Sequence, residues 1–255
     1  MIEMWIDFHV HGKLTKSVDF DLEYFNKVID CAKDTGLDSF VLSEHFNTKD
    51  YYTMYRKLEE NFEYINDYYL IDGFKVFMGM EVDVENGGHV VLVSNRTNIL
   101  NIRKRLDNYT NKGEFIPFKD LLDLADEYNC IKIGAHPYRG EHPLAENQEI
   151  DQLKRLDALD LNAKDVFTKG YQETHSELEA LSNKLGNNIV TGSDSHYPTQ
   201  LGSVKTNLGK DCETIEDIRA CIKSGNYEIE ISDVLDIKVY SASTTKKHLK
   251  AQLVG

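Results

Sequence analysis

The sequence has few cysteines, few prolines and no long apolar run. Its 255 residues include four cysteines and four prolines, and no CxxC pair occurs, which excludes a disulfide scaffold and favours reduced structural thiols over thiolate ligands. No apolar stretch approaches the roughly 20 residues that a membrane helix needs. The first residues lack the basic and apolar regions of a signal peptide. We therefore expect a cytoplasmic protein without a membrane partner.

Basic residues are also in the minority. The chain carries 29 Lys and Arg against 43 Asp and Glu, a formal net charge of −14, with 41% hydrophobic and 28% charged residues. This composition is typical of a globular protein and excludes the disordered and collagen-like classes of protein. The negative charge disfavours binding to bulk nucleic acid. A small anionic substrate remains compatible with it, because multivalent metal ions can reverse the local field.

Short β-branched or aromatic runs alternate with segments of helical period, which indicates repeated βα units of an α/β fold with a parallel sheet. The expected strands are 4–10, 39–43, 75–84, 89–94, 131–135, 158–161 and 188–192, with weaker ones at 203–207 and 227–231. The expected helices are 20–35, 49–69, 117–128, 172–185 and 214–224. No linker or repeat divides the chain, so we expect one barrel domain at 1–231 and a C-terminal appendage of it at 232–255, whose basic cluster forms a solvated face.

Six of the nine histidines lie within or just after an expected strand. They are His9, His11, His45, His89, His136 and His196. In a parallel barrel the C-terminal strand ends converge on one face, where active sites are built. Residues that are far apart in sequence can therefore meet there as ligands of a metal ion.

Two short motifs place paired donors at such strand ends. His9 and His11 stand at i and i+2 after the first strand, and Asp194 and His196 repeat that spacing near residue 192. Residues at this spacing point to the same side of a strand. For each histidine alone, a hydrogen-bonded core position is the competing interpretation.

Glu81 follows a buried-looking strand and needs compensation for its charge. Either it bridges cations or it accepts several hydrogen bonds, since burial would otherwise raise its pKa. The joint set contains eight candidates: His9, His11, His45, Glu81, His89, His136, Asp194 and His196. That is too many for one tetrahedral ion, and mixed nitrogen and oxygen donors suit zinc, manganese or iron. A cysteine-free cluster at a barrel mouth leaves positions for water and substrate, which favours hydrolysis.

These residues fall in motifs that resemble those of the PHP (polymerase and histidinol phosphatase) superfamily. Six motifs occur in order between residues 7 and 196. They are Asp7-Phe8-His9-Val10-His11, Ser43-Glu44-His45, Gly79-Met80-Glu81, Gly88-His89-Val90-Val91-Leu92-Val93, Ala135-His136-Pro137 and Gly192-Ser193-Asp194-Ser195-His196. The resemblance implies a distorted (β/α)7 TIM-like barrel with a two- or three-metal phosphoesterase site at the C-terminal strand ends.

The resemblance also implies how the ligands are shared. His9, His11, Glu81 and Asp194 are expected to hold one ion, Glu81, His89 and His136 a second, and His45 with His196 a third. Many members supply a further His or Asp about eight to ten residues after the first histidine. Here Lys16-Ser17-Val18-Asp19 occupies that stretch, with Asp19 as the candidate replacement.

The expected function is hydrolysis of a small phosphomonoester, such as histidinol phosphate, by attack of a metal-held hydroxide. We expect Glu81, His196 and Arg139 to be the catalytic residues. Arg139, three residues after His136, is also the candidate clamp on the substrate phosphate, and Lys13 is a second one. The sequence does not indicate which phosphoester is cleaved or the oligomeric state.

Three alternatives remain open at this point. One is a phosphodiesterase or nuclease of the same superfamily. Another is an amidohydrolase-like barrel that cleaves C–N bonds, although no lysine ends a convincing strand where that class places its bridging carboxylated lysine. The third is a non-catalytic domain, which the nearly complete ligand set disfavours.

Overall fold

The computed structural model describes residues 3–253, which are built around one eleven-stranded sheet. The strands in the described chain are β1 (Trp5–Val10), β2 (Ser39–Leu42), β3 (Glu63–Ile65), β4 (Tyr68–Ile71), β5 (Phe74–Asp83), β6 (His89–Val93), β7 (Ile131–Ala135), β8 (Ala158–Asn162), β9 (Asn188–Gly192), β10 (Val204–Asn207) and β11 (Glu228–Ile231). The α-helices are α1 (Leu22–Asp34), α2 (Tyr51–Asn61), α3 (Arg96–Arg105), α4 (Phe118–Glu127), α5 (Leu144–Asn147), α6 (Ile150–Leu153), α7 (Ala163–Lys169), α8 (Tyr171–Leu185), α9 (Ile215–Ser224) and α10 (Leu235–Leu253).

Seven strands form a nearly closed barrel in the order β1-β2-β5-β6-β7-β8-β9. The two ends meet where Val10 bridges Ser195, with Asp194 N donating to His9 O at 2.8 Å and His11 N to Ser195 O at 2.9 Å. These bonds bring the first and last histidine motifs side by side. The distorted TIM-like barrel expected from the sequence is confirmed.

One barrel strand runs against the others. β6 pairs antiparallel with both β5 and β7, whereas the remaining neighbours in the barrel are parallel. The expectation of a wholly parallel barrel is therefore wrong at this strand. The reversal matters for the site, because it places the first residue of β6, His89, opposite Asp83 and Ala135 at the same mouth.

The expected helix 49–69 is also wrong in its second half. α2 ends at Asn61, and residues 63–71 form the β3-β4 hairpin, with Glu63 paired to Leu70 and Ile65 to Tyr68. Aromatic and β-branched residues alternate here around Asn66, whose φ of 50° turns the chain. The strand propensity of these residues and the turn at Asn66 outweigh the helical spacing of the apolar residues.

The C-terminal segment folds onto the barrel instead of standing apart. β11 joins the sheet through β10, and α10 buries Leu235, Val239 and Ala242 while packing on α7 and on the short 3-10 helix Pro198–Gln200. α10 thereby approaches the loop that carries Asp194 and His196. Among the described helices, none is both long and apolar enough to cross a membrane.

Apolar side chains fill the barrel below this mouth. One buried cluster takes residues from all seven barrel strands, including Phe8, Val41, Phe77, Val91 and Ile133. A second cluster packs the outer strand faces against the surrounding helices. The ionisable residues of the site therefore lie at the end of a dry core, where charged groups need partners.

Candidate metal centre

Glu81 is the centre of the site. Its side chain is 2% exposed, and its carboxylate lies 2.7 Å from His45 Nδ1, 2.8 Å from His89 Nδ1 and 3.2 Å from His136 Nε2. These three histidines come from β2's end, β6's start and β7's end. The carboxylate thus has a ring nitrogen near each of its two oxygens, as a shared ligand requires.

The first-strand motif closes the other side of this carboxylate. His9 Nε2 lies 3.5 Å and His11 Nε2 3.6 Å from Glu81, and His11 Nε2 is 3.2 Å from Asp194 Oδ1. His196 joins through its Nε2, which is 3.3 Å from His45 Nε2. All eight residues proposed as ligands from the sequence are therefore brought into one cluster.

Three overlapping groups in this cluster have donor atoms close enough for one cation each. They are His9, His11 and Asp194; His9, Glu81 and His136; and His11, His45 and His196. In the described residues, the buried atoms His9 Nε2, His11 Nε2, His45 Nδ1 and Glu81 Oε2 make no hydrogen bond of acceptable geometry, although His45 Nδ1 and Glu81 Oε2 lie only 2.7 Å apart. Buried polar atoms are normally paired. Their convergence fits divalent metal ions, whose binding would satisfy them.

One buried carboxylate orients His9 and a second lies beside His11, and the sequence indicated neither contact. His9 Nδ1 is 3.0 Å from Asp160 Oδ2, and His11 Nδ1 is 3.7 Å from Glu44 Oε1. A carboxylate on Nδ1 fixes the ring tautomer and directs the Nε2 lone pair to the site. The available signal was an acid in an apolar strand, Leu159-Asp160-Leu161, and an acid next to His45.

The strand ends bend to point their ligands into the mouth. His136 and Asp194 have positive φ angles of 31° and 55°, which non-glycine residues adopt at a cost and which occur preferentially at functional sites. Gly192 is needed for close approach, since a Cβ there would lie 2.5 Å from His9 Cβ and 2.6 Å from Asp160 Oδ1. Any larger residue would displace the histidine or its orienting carboxylate.

The electrostatics keep the carboxylates ionised. Burial alone would raise the pKa of Glu81, but His45, His89 and His9 hold it well below its usual range. Burial would likewise raise the pKa of Asp194, and His11, His9 and Arg139 hold it well below. The cluster therefore supplies anionic oxygens at neutral pH.

The histidines divide into two electrostatic classes. Burial lowers the pKa of His45, of His136 and, furthest, of His196, which favours the neutral ring. For His9, His11 and His89, burial acts in the same direction, but the carboxylates around them raise the pKa, to about 10 in the case of His89. Neutral rings have a free nitrogen lone pair for a cation.

Arg139 lies at the rim and is held by three acceptors. Its Nε donates to Asp165 at 2.8 Å, one terminal nitrogen donates to Asp194 at 2.6 Å, and the other bonds Asn162. The side chain lines the cleft described below, as a phosphate clamp must. It also fixes Asp194, an arrangement that the sequence did not indicate.

Two other basic or acidic candidates lie away from the cluster. Lys13 is 2% exposed, and its ammonium donates to the Thr48 hydroxyl at 2.8 Å and the Lys49 carbonyl at 2.7 Å. These two bonds already occupy the ammonium, and binding of a substrate phosphate by Lys13 stays a prediction. Asp19 is 69% exposed and pairs with Lys49 at 2.8 Å, and its role as a replacement ligand stays a prediction.

A cleft of about 840 Å³ opens beside one side of the cluster. His89, His136 and Arg139 lie in its wall, together with the loops 83–88, 112–115 and 140–142. Cavities of this size hold small-molecule ligands. The cleft gives a substrate access to the ligand set.

Comparisons with known proteins cover one segment of the sequence and the fold. A family profile described as PHP-associated matches residues 173–227, the segment that contains Asp194 and His196. No curated protein sequence matches the chain.

Solved structures share the fold. PsfC from Pseudomonas syringae has a TM-score of 0.80 and 19% identity, over 98% of this chain and 100% of that chain. The lesion-specific endonuclease Q from Pyrococcus furiosus has a TM-score of 0.66 and 19% identity, over 89% of this chain but only 58% of its own. A two-domain protein from Bacteroides vulgatus that contains a predicted PHP-like metal-dependent phosphoesterase has a TM-score of 0.57 and 15% identity, over 90% of this chain and 65% of its own.

The barrel, the PHP-associated segment and the convergence of all six motifs at one mouth agree with the resemblance seen in the sequence. The chain thus matches the PHP-associated profile over residues 173–227 and shares the barrel fold of these solved structures.

Proposed function

We propose that this protein is a metal-dependent phosphatase that hydrolyses a small phosphomonoester. The observation that carries the proposal is the buried Glu81 carboxylate, with five histidine rings around it and several donor atoms left without protein partners. Such a cluster is costly to bury without cations. A purely structural role does not explain it.

We propose two or three bound ions of zinc, manganese or iron, with Glu81 shared between them. The three overlapping donor groups support this number, and their mixture of imidazole and carboxylate supports these metals. Bound ions of this kind supply a water nucleophile that ionises near neutral pH and neutralise charge on the phosphoryl oxygens.

The chain's own residues prepare the site for that chemistry. Asp160 holds the tautomer of His9 by accepting from its Nδ1 at 3.0 Å, and the Glu44 carboxylate lies 3.7 Å from His11 Nδ1 as an ion-pair partner. Arg139 fixes Asp194 and places its guanidinium beside the cleft, where it can contact a phosphate. His196 Nδ1 faces the Asp194 carbonyl at 3.2 Å, which keeps the proton on that nitrogen and leaves Nε2 free.

The cleft and the charge support a small substrate. A volume of about 840 Å³ fits the leaving group of a metabolite-sized ester, and the net charge of −14 repels a polyanion. A histidinol-phosphate-like compound is the representative of this class that we propose to test first.

A nuclease activity is the second candidate. It is supported by the fold shared with endonuclease Q, one structure of which is a complex with a 27-mer duplex carrying an abasic lesion. That protein is much longer, since this chain spans 58% of it. The acidic composition of this chain is the argument against a duplex substrate.

The test is hydrolysis by chelator-stripped protein reloaded separately with zinc, manganese or iron, followed as phosphate release for the monoesters and by separation of the products for the other compounds. The panel contains histidinol phosphate, nucleoside monophosphates, sugar phosphates, a phosphodiester and an abasic duplex, together with a cyclic amide. We expect turnover of one or a few monoesters. Cleavage of only the diester or duplex would establish the nuclease alternative, and cleavage of only the amide would establish the C–N hydrolase alternative.

A further inference from the structure

A second, smaller cavity borders the cluster at a different place. Its volume is about 110 Å³, and it shares no lining residue with the large cleft. Asp194 and His196 line it together with Lys164 of α7 and Lys246 of α10. Since a water molecule occupies about 30 Å³ of liquid, this space holds a few waters or one small tetrahedral anion.

The two lysines have no anionic partner of their own. Within residues 3–252, neither ammonium makes an ion pair or a hydrogen bond. Neighbouring lysines do: Lys169 of α7 pairs with Glu177 at 2.7 Å, and Lys238 of α10 donates to the Leu201 carbonyl at 2.8 Å. In a chain with a net charge of −14, the exposed Lys164 and the half-buried Lys246 give this small cavity a positive lining beside a candidate metal centre.

The other candidate cations are already engaged. The ammonium of Lys13 is bonded to Thr48 and Lys49, and the guanidinium of Arg139 is shared by Asp165, Asp194 and Asn162. Burial lowers the pKa of Lys246 to about 8, as expected for a partly desolvated ammonium without a bonded carboxylate. Among the residues that line the smaller cavity, the unpaired positive charge is therefore on α7 and α10.

We propose that Lys164 and Lys246 bind a phosphate oxyanion, as the phosphoryl group of the substrate or as the phosphate product, against Asp194 and His196. The inference rests on the proposed phosphatase function and names the residues that recognise its anion. α10 then contributes directly to the active site. Both lysines lie outside the segment 173–227 that the PHP-associated profile matches.

The test measures binding of inorganic phosphate to the full-length, manganese-reloaded protein by calorimetry. Lys164→Met and Lys246→Met keep the aliphatic stem and remove the charge, and Lys246→Arg restores it. Lys247→Met is the matched control, since Lys247 is exposed on the same helix and does not line the cavity. Metal content and thermal midpoint establish that each variant is folded and loaded.

We expect each of the two Lys→Met variants to bind phosphate about tenfold more weakly, because each loses a charge-assisted hydrogen bond. Lys246→Arg and Lys247→Met are expected to stay within about twofold of the unmodified protein. The Michaelis constant for a cleaved monoester should rise in the same order. Unchanged phosphate affinity in both Lys→Met variants, or no phosphate binding by the unmodified protein, would overturn the inference.

The outcome separates this inference from the proposed function. Lysine-dependent phosphate binding without hydrolysis of any monoester leaves the anion pocket in place and contradicts the phosphatase. Hydrolysis that is insensitive to both lysines supports the phosphatase and contradicts the pocket.

Discussion

At the scale of single residues, the site depends on side chains that would not bind a metal ion themselves but contact residues that would. Asp160 is 2% exposed and accepts from His9 Nδ1 and from Asn162 Nδ2 at 2.9 Å. Gly192 leaves room for this contact, because a Cβ there would collide with both His9 and Asp160. The position of His9 Nε2 is therefore set by Asp160, Asn162 and Gly192.

We expect Asp160→Asn to lower metal affinity about 10- to 100-fold, because the amide no longer provides an anionic acceptor for His9 Nδ1. Competition with a chromogenic chelator measures this affinity. Asp157→Asn is the matched control: its carboxylate lies just before the same strand and accepts from Lys132 N at 2.8 Å, away from the site. Equal metal affinity in both variants would show that Asp160 does not position the ligand.

The residue identities could largely be predicted from the sequence, but their supports could not. Glu81 and the histidines carry short-range patterns, namely HxH spacing and an acid at the end of an apolar strand. Asp160 meets His9 across 151 positions, and no local pattern encodes that contact. The sequence predicts a solvated face for the basic cluster that contains Lys246, because no local pattern encodes the packing of α10 on the barrel.

At the scale of elements, strand direction and helix ends position the ligands. β6 brings its first residue to the mouth because it runs antiparallel, and alternation of apolar residues does not encode direction. α9 begins with a capping box in which Thr214 and Asp217 exchange hydrogen bonds with each other's backbone. This helix directly follows the loop after β10 and packs on β9, the strand that leads to Asp194.

The capping box at the start of α9 should make the stability of the protein depend on pH. Hydrogen bonds from Lys210 and Thr214 lower the pKa of Asp217 to about 2, below its value in an unfolded chain. Its contribution to stability is therefore present above about pH 4 and is lost as the pH falls towards about 2. We expect Asp217→Ala to lower the free energy of unfolding by about 1 kcal/mol at pH 7, with a smaller deficit at pH 3.

Urea unfolding at the two pH values measures this difference. Glu216→Ala is the control, since its carboxylate pairs with Arg219 on the helix surface and such pairs contribute little. A deficit for Asp217→Ala that is equal at pH 7 and pH 3 would mean that its charge does not support the cap.

At the scale of the whole molecule, the closed end of the barrel is apolar and the open mouth collects the charge. Two cavities reach the cluster there, one of about 840 Å³ beside His89 and His136 and one of about 110 Å³ beside Asp194 and His196. The sequence predicted the mouth and its ligands. It did not predict the cavities, because loops and α10 build them through contacts between distant segments.

Metal ions are expected to stabilise the folded chain, because they satisfy buried donors that have no protein partner. Reloading stripped protein with zinc or manganese, at a free concentration about 100-fold above the dissociation constant, should raise the free energy of unfolding by about 2.7 kcal/mol. Urea unfolding with and without metal measures the gain. Glu81→Gln is expected to lose most of it, and identical unfolding curves for stripped and reloaded protein would contradict a metal centre.

The most direct test of the central claim is phosphate release from a panel of small phosphomonoesters by metal-reloaded protein, compared with Glu81→Gln. We expect turnover by the unmodified chain and a loss of at least about a hundredfold in Glu81→Gln, because in the proposed mechanism the shared carboxylate would hold the ions that stabilise the transition state. Turnover that persists undiminished in a folded Glu81→Gln variant would contradict catalysis at this cluster, as would no release by fully loaded protein with any ester of the panel.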